Sequence, residues 1–170
     1  KRTTELNIKA VYPKLDDHHQ QQLIKSSLKS QSMTYAESIK IWGSSPEFAL
    51  EQIKEVHHPE IFLNALKNPN GTLGVVPHFG TWELMNAWVN QHTNPVIMYK
   101  PSKNKDLDRF MLESRQQLNA TLVPTDDSGV RALFKHLKQG GFSAILPDHI
   151  PKASGGIYSP FFGLNAFSST

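Results

Sequence analysis

The stretch Val75-Val76-Pro77-His78-Phe79-Gly80-Thr81-Trp82-Glu83 decides how the rest of the chain is read. Residues 73–76 form an apolar run of strand composition that stops at Pro77, which cannot continue a hydrogen-bonded ladder. His78 falls in the turn that follows. Glu83 comes five residues later, where Leu84, Met85, Ala87 and Trp88 take up a helical spacing. Strand, turn and helix in this order place an imidazole and a carboxylate at the carboxyl end of a strand. A carboxylate on one ring nitrogen fixes the tautomer and leaves the other nitrogen to take a proton. Glu83 also has a plainer use, because the exposed N–H groups of a first helical turn favour an anion. A His and a Glu near a helix start are often only a cap and a surface pair.

Outward from this stretch the pattern alternates. Residues 96–99 read as a strand, 107–118 as a helix, 121–123 as a strand, 128–138 as a helix, and 142–146 as a strand after the Gly140-Gly141 stop. Strand and helix alternating at this spacing predict β-α-β units. The fold class is therefore α/β, with a mainly parallel central sheet flanked by helices. Upstream, residues 1–70 form an N-terminal helical segment. Asp16 or Asp17 caps a helix whose Ile24, Leu28, Tyr35, Ile39 and Trp42 keep helical spacing up to Gly43. Ser45-Pro46-Glu47 starts a second helix, and 59–67 reads as another, closed by Asn68-Pro69-Asn70-Gly71. Residues 147–167, rich in Pro, Gly and Ser, read as a long loop leading to a final short strand.

Composition narrows the chemistry. A length of 170 residues with 38% hydrophobic content suits one domain, with 71–170 as its alternating core. Cysteine is absent, which removes disulfides, thiolate metal sites and cysteine nucleophiles. The net charge of +3 permits anionic partners without pointing to one. No apolar run approaches the ~18 residues of a membrane span, so the piece itself is expected to be soluble. The chain opens at Lys1 rather than Met and stops at Thr170 just after an aromatic run, as a piece of something longer would. No G-x-S-x-G elbow, Walker loop or G-x-G-x-x-G is present. The eight His residues lack metal-ligand spacing, and the scattered Lys residues form no basic stripe for nucleic acid.

Ligands of open α/β sheets bind beyond the carboxyl ends of the parallel strands. Those ends here deliver His78, Lys100, Thr125-Asp126-Asp127 and Asp148-His149. Each has an ordinary reading as well. Asp127 suits the N-cap of the following helix, Lys100 before Pro101 suits a solvated cation, and His149 suits a loop hydrogen bond. Arg115, on the 107–118 helix, suits a pair with Asp108 or Glu113 on a wet face. What remains is a His–carboxylate base without a covalent nucleophile, which fits direct attack of a substrate hydroxyl on an activated acyl group.

At these residues the chain resembles a known family. His78-Phe79-Gly80-Thr81-Trp82-Glu83 is similar to the H-x4-D/E signature of the lysophospholipid acyltransferase superfamily. The longer context resembles its bacterial lipid A biosynthesis branch, the lauroyl and myristoyl transferases. The resemblance is carried by Arg2 through Tyr12-Pro13, Met98-Tyr99-Lys100-Pro101, Asp126-Asp127-Ser128-Gly129-Val130-Arg131, Leu146-Pro147-Asp148-His149 and Pro160-Phe161-Phe162-Gly163. It covers essentially the whole chain, in order.

The resemblance implies His78 as general base and Glu83 as its orienting partner. It implies Arg115, with Lys100 as a further cation, for an oxyanion or a substrate phosphate, and Asp148 for shaping the site. It also implies no metal and no cofactor, since an acyl-carrier-protein thioester is the donor, with a lipid A precursor or related glycolipid as acceptor. The family often has Arg at the position of Lys100 and Gln at that of His149. Its members carry an N-terminal anchor and further chain, through which the membrane surface is reached at the cytoplasmic face of the inner membrane. This piece alone is therefore expected to be nearly inactive. Two other readings stand beside it. One is the same chemistry on another glycolipid or lysophospholipid, and the other is a non-catalytic lipid- or carrier-binding domain of the same fold.

Overall fold

The computed structural model describes residues 2–148, 150–151 and 155–169. His149 lies outside the described residues, as do 152–154 of the expected loop. The elements run α1 (Arg2–Val11), α2 (Asp17–Trp42), α3 (Pro46–Glu51), α4 (Pro59–Ala65), β1 (Thr72–Val75), α5 (Trp82–Asn90) and β2 (Val96–Tyr99). They continue with α6 (Lys105–Gln116), β3 (Thr121–Pro124), α7 (Asp127–Lys138), β4 (Phe142–Ile145), β5 (Gly156–Phe161) and β6 (Leu164–Ser169). The α/β expectation is met: β1 to β4 form one sheet in which every pairing is parallel, preceded by a helical segment.

Helix boundaries follow local chemistry. The Asp16 side chain accepts from the His19 N–H at 3.0 Å and starts α2, and the Gly43 N–H bonds back to the Ile39 carbonyl at its end. Ser45 accepts from the Phe48 N–H at 3.3 Å, with Pro46 in the first position of α3. The cap of α7 is Asp126 rather than the expected Asp127. Its carboxylate accepts from the Ser128 and Gly129 N–H groups, and Asp127 is the first helical residue.

The sheet order is β1-β4-β2-β3, so the last parallel strand lies inside the sheet, between the first two. Ser143 is fully buried at that position, and its hydroxyl donates to the Val96 carbonyl at 2.7 Å, tying β4 to β2. Ala87 and Val89 of α5 are buried, and Phe62 of α4 packs on Trp88 (5.1 Å) and on Phe142 of β4 (5.2 Å).

The 147–167 expectation is corrected. Instead of a loop and one strand, β5 and β6 form an antiparallel hairpin, with Phe161 paired to Leu164 across Phe162-Gly163. Both turn residues have positive φ, 49° and 79°, as a tight two-residue hairpin turn of matching twist requires. Pro160 is accommodated because every strand of a two-stranded ribbon is an edge strand.

Gly129 sits where α7 crosses β3, and a Cβ there would lie 1.7 Å from the Pro124 carbonyl oxygen. Gly163 has only its backbone conformation to defend, with no atom within 4 Å of where a Cβ would sit. Urea denaturation is expected to show Gly129→Ala losing about 3 kcal/mol and Gly163→Ala about 1 kcal/mol. Equal losses would contradict the close approach of α7 to β3.

Candidate functional site

Val75 of β1 and Ile145 of β4 are direct register partners, and the Val76 N–H donates to the Ile145 carbonyl at 2.9 Å. Carried three residues further at the same offset, that register sets His78 opposite Asp148. The Asp148 carboxylate takes two hydrogen bonds from His78, one from the backbone N–H at 2.6 Å and one from ring Nδ1 at 2.7 Å. This two-point grip fixes both the turn and the ring. The side chains of His78 and Asp148 are 43% and 38% exposed, so the pair sits at a mouth and not in the core. Burial pulls the Asp148 carboxyl upward, but the hydrogen bonds from the His78 ring and backbone outweigh it and hold its pKa below the usual carboxylate value. Trp82 meets the His78 ring edge-on at 5.0 Å.

Glu83 stands elsewhere. It is 3% exposed, and Arg115 Nη2 donates to its Oε1 at 2.7 Å while Asn86 Nδ2 donates to its Oε2 at 3.2 Å. The carboxylate on Nδ1 of His78 is thus that of Asp148, where the sequence reading placed Glu83. Because α5 begins at Trp82, Glu83 turns toward α6. Arg115 accordingly pairs across helices with Glu83, instead of along its own helix with Asp108 or Glu113. Asp108 is occupied by other donors, the Tyr99 hydroxyl and the Ser102 N–H. These bonds, that from Tyr99 first, hold its pKa below the usual value. Burial, followed by the bond to Asp108, pushes Tyr99 up to about 12. The Arg115 guanidinium lies 5.7 Å from the centre of the Tyr99 ring.

Two spaces meet at His78. A cavity of about 190 Å³ runs over the sheet, walled by Met85, Ile97, Met98, Leu122 and Leu146, with Arg115 in its lining. A cleft of about 890 Å³ opens toward α1 and α2. His78 and Trp82 border both. Lys100 is exposed at the end of β2 and borders neither. Among the described residues no helix is long and apolar enough to cross a membrane.

The family model described as bacterial lipid A biosynthesis acyltransferase matches residues 1–170. The chain belongs to that family. It is 21% identical over 164 residues to a lipid A biosynthesis lauroyltransferase of Escherichia coli (strain K12), covering 96% of this chain and 53% of that protein. It is 24% identical over 160 residues to a lipid A biosynthesis acyltransferase of Haemophilus influenzae (strain ATCC 51907 / DSM 11121 / KW20 / Rd), covering 93% of this chain and 49% of that protein. The chain spans about half the length of these relatives.

In this member of the lipid A biosynthesis acyltransferase family, sequence reasoning took the near carboxylate for the His78 partner and the far one for a shaping residue. The signal that separates them is the β1–β4 register, which no local spacing carries. Tyr99 and Asp108 were missed as a latch, although a Tyr closing a strand ahead of an acidic first helical turn is a usable pointer.

The two carboxylates predict different phenotypes. Glu83→Ala leaves the Arg115 guanidinium mostly buried without a counter-charge, and denaturation is expected to show a loss of about 3 kcal/mol. A loss below about 0.5 kcal/mol would contradict the buried pair. Asp148 has a folded pKa below its unfolded value, so its contribution is present above the unfolded value and fades as pH falls through the folded one. Wild type is therefore expected to lose more stability than Asp148→Asn between neutral pH and about pH 3. Parallel stability curves would contradict that pairing.

Proposed function

We propose that the full-length protein transfers a fatty acyl group from an acyl-carrier-protein thioester to a hydroxyl of a lipid A precursor. The observation that carries this reading is the position of the His78–Asp148 pair, at the junction of an apolar-walled cavity and a polar cleft. Acyl transfer to an acceptor hydroxyl needs such a junction, with the acyl chain on one side, the acceptor on the other, and a base between them.

In this scheme Nδ1–H of His78 donates to Asp148, and Nε2 removes the proton of the acceptor hydroxyl. The acceptor oxygen bonds to the thioester carbonyl carbon, and the carbon–sulfur bond breaks as the tetrahedral intermediate collapses. The proton on Nε2 then passes to the departing thiolate. Asp148 holds the ring in one tautomer and stabilises the imidazolium between the two transfers. Arg115 is the cation that would face the oxyanion. Its Nη2 is held by Glu83, and its buried Nε has no hydrogen-bond partner among the described residues. Glu83 then serves by positioning Arg115. The thioester activates the acyl group, so the chemistry calls for no metal or further cofactor. On this reading the whole protein works at the cytoplasmic face of the inner membrane, where a lipid A precursor would be met.

In the full-length protein, His78→Ala is expected to lower transfer by ~10²–10⁴ with unchanged thermal unfolding. Asp148→Asn is expected to lose less, since an orienting group cannot contribute more than the base it serves. Near-normal turnover of His78→Ala would remove the mechanism. Mass spectrometry of lipid A from cells lacking the gene is expected to show loss of one acyl chain, restored by the wild-type gene and not by His78→Ala. Unchanged lipid A with altered phospholipids would assign the acceptor to the lysophospholipid class instead.

A further inference from the structure

The turn that carries His78 is gripped at two points, and the second lies outside the pair already described. At residue 78 the grip is Asp148. Three residues on, the Thr81 hydroxyl donates to Oε2 of Glu37, on α2. Packing adds little between the two grips. Phe79 is 86% exposed, and Gly80, at φ +62°, has no atom within 4 Å of where a Cβ would be. The shape of the turn is therefore set at its ends. Thr81 also occupies the N-cap position of α5, yet it does not act as a cap. Asp16 and Ser45 begin their helices with extended ψ of 160° and 158° and accept from an N–H of the first turn. Thr81 has ψ 74°, and its side chain makes no capping bond. Its hydroxyl is turned to Glu37 instead.

Glu37 is suited to be a fixed post. Ser38 beside it is buried, and α2 packs on both α5 and α6, which anchors this stretch of the helix. Lys40, the cation one turn further along α2, lies over the Phe48 ring, 5.3 Å from its centre. A hydroxyl donating to a carboxylate makes a charge-assisted bond, stronger than one between neutral groups. What the post steadies comes next in the chain. Trp82 follows Thr81 and meets the His78 ring edge-on at 5.0 Å. Asp148 holds that ring at Nδ1. An imidazole held at one nitrogen can still swing about that bond, and Trp82 limits the swing. We propose that Glu37 is a positioning residue for His78, acting through Thr81 and Trp82 to keep the free side of the imidazole in one orientation. The proposal rests on the reading of His78 as the base, and adds to it a residue from a different element.

Glu37 is exposed, so its replacement spares the core. In the full-length protein, Glu37→Ala and Thr81→Val are each expected to lower kcat about three- to tenfold, with the KM for the acyl donor and the thermal midpoint unchanged. Glu37→Gln keeps an amide oxygen that can accept from the hydroxyl, and Thr81→Ser keeps the hydroxyl, so both should recover most of the loss. Glu37→Ala combined with Thr81→Val should be no worse than either alone, because both remove the same interaction. Unchanged kcat in both single variants would overturn the proposal, including the case of a lowered thermal midpoint with normal kcat, the result of a purely structural contact. Additive losses in the double variant would overturn the pairing. The nuclear Overhauser contact between the Trp82 and His78 rings gives a readout free of turnover. It is expected to weaken in Glu37→Ala and to persist in Glu37→Gln. That result supports the post whether or not His78 proves to be the base, and an intact contact in Glu37→Ala overturns the post alone.

Discussion

The parallel register between β1 and β4 is the constraint on which the site depends. Backbone hydrogen bonds set the offset at Val75 and Ile145, and each strand then has a proline followed by one polar residue. Pro77 and Pro147 end the strands in step, which delivers His78 and Asp148 to the same height. Because the Asp148 carboxylate grips a backbone N–H as well as the ring, the imidazole inherits the rigidity of the sheet. A slip of one residue would reverse the facing of every side chain on β4 and separate the pair. Ser143, buried and bonded to the Val96 carbonyl, opposes that slip from the other edge of β4.

Two carboxylates near one histidine divide the work according to their surroundings. Asp148 is partly exposed, and hydrogen bonds from the His78 ring and backbone favour its ionised form. Glu83 is almost wholly buried, and what makes that tolerable is Arg115 at 2.7 Å with Asn86 behind it. The ion pair joins α5 to α6, while the Tyr99–Asp108 bond joins α6 to the end of β2. Together they fix the guanidinium in the lining of the cavity, on a frame that does not rest on a flexible loop.

Much of the architecture was legible because strand and helix differ in local signals. The Pro77 stop, the Ser45-Pro46 cap and the Gly43 end each act within a few residues, and the structure places boundaries at all three. The partner of His78 was not legible. Glu83 is five residues away and Asp148 is seventy, and only the insertion of β4 between β1 and β2 makes the distant one adjacent. The β5–β6 hairpin was obscured by Gly156, Pro160 and Gly163, residues that argue against a central strand but are acceptable in a two-stranded ribbon. Phe162 at positive φ is the least expected residue of that turn, and the Gly after it was the usable signal. Membership in the family was legible because its five blocks lie along the chain in order, independent of how they pair in space.

Asp148 holds the His78 ring at Nδ1, and the proposed mechanism requires that Nδ1 carry the proton so that Nε2 can act as the base. Nitrogen NMR of the His78 imidazole at a pH where the ring is neutral reads this directly. A protonated Nδ1 with an unprotonated Nε2 is expected in the wild type, and a mixture of tautomers in Asp148→Ala. A wild-type ring protonated at Nε2, or a tautomer indifferent to the loss of Asp148, would contradict it.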